Sequence, residues 1–144
     1  MKIMKGRIDM PDTKQTHIFL LKLMYTVTIV IAGSLGIGIL AVSGTTQWIF
    51  GVDCPRVISG LVGSVFLAFA LLSVLGLRDP VKYIPVLFMQ LLYKTVWLCF
   101  VALPLFIAGE MTMDMIPVIA VFLAVIVGDL FAIPFKTFFG RKLK

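Results

Sequence analysis

Lys94 and Asp129 are the charges in this sequence that fall within long apolar runs, at about residues 83–108 and 115–135. Gln90 precedes Lys94 by four residues and Trp97 follows it by three, so on a helix these three side chains share one face. An ammonium, an amide and an indole N–H on one stripe, opposite a carboxylate, could do one of three things. They could line a pocket for a small apolar or amphipathic ligand, answer to protons along a transport path, or form a buried ion pair that fixes helix register.

Depth decides how the two charges could meet. Counted from the basic edge of each run, Lys94 lies about 15 Å and Asp129 about 9 Å deep, at roughly 1.5 Å per helical residue. Side chains tilt toward the N-terminus of their own helix, so on antiparallel helices the two lean toward each other. A direct Lys94–Asp129 ion pair is therefore predicted, the lysine stem spanning the remaining difference. A central lysine costs about 2.5–3.5 kcal/mol on insertion, while each Leu, Ile, Val or Phe returns about 0.3–0.6, so the run still inserts.

Other chemistry finds no support. No Ser-His-Asp set, paired carboxylate or phosphate-cradling glycine loop is present, so catalysis is not indicated. Cys54, Cys99 and a lone His17 give no metal-ligand spacing, and neither a metal nor another cofactor is predicted. His17 reads as a solvated flank residue, and the two cysteines lie too far apart in depth to pair. The net charge of +6 resides on the flanks of apolar runs, with no aromatic-studded basic face, which argues against nucleic acid.

These residues need long apolar helices to hold them. Of the 144 residues 60% are hydrophobic and 14% charged, against about 45–50% and about 25% in soluble domains. The mean hydropathy of +1.09 agrees. A single all-α domain over residues 1–144 is predicted, an integral membrane four-helix bundle with the lipid bilayer as its surroundings. Its spans fall at about 18–42, 57–77, 83–108 and 115–135, each near the roughly 20 residues needed to cross hydrocarbon. The first run is longer than a signal-peptide core and follows a polar N-terminus, so it is expected to be retained.

Asp53, Asp79 and Asp114, each near a proline, read as helix-start caps. Pro85 and Pro104 are expected to bend the third span. Lys2, Lys5, Arg7, Lys14 and Lys22, Arg78 and Lys82, and Lys136, Arg141, Lys142 and Lys144 all flank one side, leaving Arg56 opposite. The positive-inside rule then puts both termini in the cytoplasm. Gln47-Trp48-Ile49-Phe50-Gly51 in the first outer loop reads as an interfacial aromatic belt or as a lid over a pocket opening outward.

Small residues predict the packing. Ala120, Ala124, Gly128 and Ala132 recur every four residues on the fourth span, and Gly60, Ser64 and Ala68 on the second. Such stripes let helix backbones approach closely, within one bundle or across a homodimer. Short links make spans two and three, and three and four, antiparallel neighbours.

Arg78-Asp79-Pro80, Tyr93-Lys94-Thr95-Val96-Trp97, Gly128-Asp129 and Ile133-Pro134-Phe135 together resemble a group of small bacterial four-helix membrane proteins, similar in layout to DoxX-like membrane proteins. The resemblance implies a bacterial inner-membrane bundle and carries over no activity or residue role. The expected function is binding of a small apolar or amphipathic molecule, or of a partner membrane protein, around the Lys94 stripe. An oligomeric transporter or channel subunit and a structural accessory subunit are the alternatives.

Overall fold

The computed structural model describes residues 12–135, and the basic residues expected to orient the chain at Lys2, Lys5, Arg7, Lys136, Arg141, Lys142 and Lys144 lie outside them. The described chain is helical, with no strand: α1 (Asp12–Ala41), α2 (Thr45–Phe50), α3 (Arg56–Arg78), α4 (Ile84–Trp97), a π-helical turn (Leu98–Ala102), α5 (Leu103–Ala108) and α6 (Met115–Ala132). Four stretches are long and apolar enough to cross a membrane: Gln15–Ala41, Arg56–Arg78, Ile84–Ala108 and Met115–Ala132. They match the expected spans to within a few residues. The last stops early because Ile133 adopts an extended backbone ahead of Pro134, the conformation that a following proline ring favours.

Of the two prolines expected to bend the third span, Pro85 acts differently. Residues 80–83 form a turn, so α4 begins at Ile84 and Pro85 falls in its first turn, where a missing N–H costs nothing. Pro104 does distort the third stretch. Its ring would press on the carbonyl four residues back, and the helix widens just before it, with the Leu103 N–H donating to the Leu98 carbonyl. The expected aspartate caps do not form. Pro55 and Tyr83 hold the N-cap positions of α3 and α4, and Asp114 stands at the start of α6 without a side-chain cap bond. Asp79 instead accepts the Lys82 N–H within the turn, at a long 3.4 Å.

α1 and α3 form the tightest pair, running antiparallel along their lengths. A Cβ added at Gly36 would meet the Leu67 nitrogen at 2.7 Å and the Gly63 carbonyl oxygen at 3.0 Å. At the other end the Tyr25 ring fills the space beside Gly76, and its hydroxyl donates to the Pro80 carbonyl at 2.9 Å. The face of α3 that packs therefore carries Ser59, Gly63, Phe66, Ala70, Ser73 and Gly76. This corrects the expected seam: Ser64 and Ala68 face outward and Gly60 has open space around it. Ser64 can face outward because its hydroxyl bonds back to the Gly60 carbonyl.

The stripe on α6 divides in the same way. Ala132 is fully buried and Gly128 closes on Met24 of α1, but Ala120 and Ala124 are exposed. The buried positions Met115, Phe122, Val125, Asp129 and Ala132 follow a three-and-four spacing rather than a strict four, the rotation that keeps a helix seam on its neighbours. An apolar core around Leu21, Tyr25, Leu87 and Ile133 seals the bundle end remote from α2. A second, around Ile39, Phe66 and Phe69, joins α1 to α3. Between them, α1, α4 and α6 do not close.

Candidate functional site

α4 carries the expected stripe into the bundle: Gln90 is 2% and Lys94 5% exposed. Trp97 is half-buried and sets its ring edge-on to Phe122, with centroids 5.2 Å apart. Gln90 and Lys94 open into a cavity of about 590 Å³ that Trp97 does not line. The walls are apolar, with Ile31 and Leu35 from α1 and Val118, Val121 and Val125 from α6.

The deep end of the cavity is a small polar array. Gln90 Nε2 donates to Thr28 Oγ1 at 3.0 Å, and Thr28 Oγ1 donates to the Met24 carbonyl at 2.9 Å. Gln90 Oε1 is buried without a partner. The Lys94 ammonium stands 5.5 Å from the Tyr93 ring centroid and 5.8 Å from that of Phe122, so two π-faces share its charge. Tyr93 is held in turn by stacking on Phe69 at 5.3 Å. Thr28 and Phe122 stand outside the sequence reading, and Tyr93 enters it only within the Tyr93–Trp97 motif. The signal for Thr28 was present, as it lies three residues after Tyr25 on a polar face of an otherwise apolar helix.

The expected ion pair does not form. Asp129 is fully buried, both of its carboxylate oxygens lack a hydrogen-bond partner, and among the described residues no carboxylate lies within the 4.0 Å of Lys94 that an ion pair requires. The two groups remain within electrostatic reach of each other. The reason is where the lysine stem ends. Phe122 and Asp129 share one buried face of α6 two turns apart, and the Lys94 ammonium stands beside the Phe122 ring and the cavity, whereas Asp129 lies toward Tyr25.

Trp48, Ile49 and Phe50 of α2 line the opposite end of the cavity, with Met113 and Asp114. Left-handed Gly44 and Gly51, at φ 87° and 68°, bracket this short helix, and Gly51 packs against the Asp114 side chain. Both readings of the aromatic segment meet here, since Trp48 is 85% exposed and yet contributes to the cavity wall. Val30 and Ser34 on α1 and Val121 on α6 are exposed along the rim, so the cavity also opens sideways between α1 and α6.

Elsewhere, His17 is half-buried, with Nδ1 covered and unpartnered rather than solvated. Cys54 and Cys99 are free thiols. Among the described residues no group of three or more His, Cys, Asp or Glu side chains could hold a metal ion.

Among the described residues, fold and site thus define an all-helical protein whose four apolar helices are consistent with a transmembrane bundle, with one buried cation beside an amphipathic cavity. No family model, curated protein or solved structure matches the chain.

Proposed function

We propose that the chain is a multi-pass protein of a bacterial inner membrane, with both termini cytoplasmic, that binds a small amphipathic molecule in the cavity between α1, α4 and α6. The membrane reading rests on the outward side chains. Phe19, Leu61, Phe100, Ile107 and Phe131 are exposed apolar groups distributed around the bundle, a surface that water disfavours and acyl chains accommodate. The orientation rests on the basic flanks and the inner-membrane setting on the resemblance to DoxX-like proteins.

One observation carries the binding reading: buried Lys94 and Gln90 face an apolar-walled cavity whose volume falls within the ~300–1,000 Å³ of small-molecule sites. The core around Leu21, Tyr25 and Leu87 seals the far end, which favours holding a molecule over passing it through. Native mass spectrometry of the protein released from lipid nanodiscs is the test. The wild type should retain a bound species that Val121→Trp, which fills the side opening, loses. Identical spectra free of adducts from both proteins would refute the proposal.

A further inference from the structure

We infer that the occupant is a single-chain amphiphile with a carboxylate head, bound with that head at Lys94 and its chain toward the opening between α1 and α6. The inference rests on the binding reading above and specifies its ligand.

The head is fixed by what the deep end offers. Lys94 is 5% exposed and lines the cavity, and its ammonium faces the Tyr93 and Phe122 rings with no side-chain hydrogen bond or ion pair among the described residues. Asp129 does not line the cavity, so its carboxylate does not occupy that position. Gln90 spends one amide hydrogen on Thr28 and has a second to give. The deep end thus offers an ammonium and one spare amide N–H, one helical turn apart on α4, with Gln90 Oε1 as a spare acceptor, among apolar walls. A buried ammonium is best satisfied by a counter-charge that also accepts its hydrogen bonds. A carboxylate supplies both with two oxygens. A phosphate carries more charge and more acceptors than one lysine and one amide can satisfy, and no arginine lines the cavity.

The cavity's polarity fixes the direction. Its other titratable wall groups are Tyr93, beside Lys94, and Asp114 at the α2 end. An anionic head placed near α2 would face the Asp114 carboxylate, whereas at the deep end it meets Lys94. The chain has an outlet, because Val30, Ser34 and Val121 leave the seam between α1 and α6 open to the side. In a bilayer that seam faces acyl chains, so a membrane-dissolved amphiphile can enter without crossing water. A cavity of about 590 Å³ is the size of a site for one small molecule, which fits a single chain.

The test is binding of radiolabelled palmitate to the protein in nanodiscs, corrected for empty nanodiscs, with 1-hexadecanol as competitor. The alcohol has the same chain and no charge. Palmitate should bind at least about ten-fold more tightly than hexadecanol, the size expected for one hydrogen bond to a charged group. Lys94→Met should abolish that preference while leaving hexadecanol binding intact, and Lys94→Arg should keep it. Lys94→Arg also serves if Lys94→Met fails to fold. Equal affinity for the two probes in the wild type, with binding lost in Val121→Trp, would overturn the carboxylate head while the cavity reading stands. Binding of neither probe above that to empty nanodiscs, or binding that Val121→Trp leaves unchanged, would overturn both.

Discussion

Gln90 of α4 and Thr28 of α1 are joined by a 3.0 Å hydrogen bond between two buried side chains 62 residues apart in sequence. It ties together the two helices that wall the deep end of the cavity. Removing one partner leaves the other's polar atoms dry and unpaired. Thr28→Val should therefore destabilise the protein by about 1–3 kcal/mol. With Gln90→Leu already in place it should cost little. Thermal unfolding of the four proteins of this cycle checks the claim, and additive losses would mean that the bond contributes nothing.

The crossing of α1 and α3 makes a sharper contrast. At Gly36 a Cβ would strike backbone atoms of α3 that cannot rotate away, whereas Gly60 has open space. Gly36→Ala should cost about 1–3 kcal/mol through overpacking. Gly60→Ala should be neutral or stabilise by about 0.5–1 kcal/mol, because alanine restricts the unfolded chain and suits a helix. Melting temperatures in one detergent would decide; a reversed order would place the packed face of α3 where the Gly60–Ser64 spacing had pointed.

The four apolar stretches, and the burial of Gln90 and Lys94, were legible because length and composition set the first and helical spacing set the second. Rotation about each helix axis was not legible. α3 carries two rows of small residues, and only the position of Gly36 and Tyr25 on α1 selects the row with Gly63 and Gly76. Depth and tilt brought Lys94 and Asp129 to similar heights, but the lysine stem ends beside Phe122, two turns from Asp129 on the same face of α6, and no spacing within α4 specifies that choice. The π-helical turn before Pro104 was legible only as a bend, since the local widening depends on how the chain relieves the proline clash.

Asp129 provides the next prediction. A directly paired buried charge typically costs about 3–5 kcal/mol when its partner is deleted. Asp129 has no hydrogen-bond partner to lose and touches Lys94 only through its field. Asp129→Leu should therefore lower stability by less than about 1 kcal/mol. A loss of several kcal/mol, read by denaturant or thermal unfolding, would restore a direct pair in the membrane-embedded protein.

Orientation is testable without purification. A reporter fused after Lys144 should be active in the cytoplasm, and one inserted in the 109–114 loop should be active on the other side. A periplasmic signal from the C-terminal fusion would invert the topology and place α2 on the cytoplasmic face.

The central claim is that the cavity beside Lys94, rather than the general apolar surface, holds an amphipathic molecule. Photolabelling with a diazirine-bearing fatty acid in nanodiscs, mapped by peptide mass spectrometry, tests it most directly. The account predicts labels concentrated on Ile31, Leu35, Val118 and Val121, the cavity wall, and their loss in Val121→Trp. Labels spread evenly over the outward Phe100, Phe106 and Ile107, with the wall no richer than they are, would contradict it.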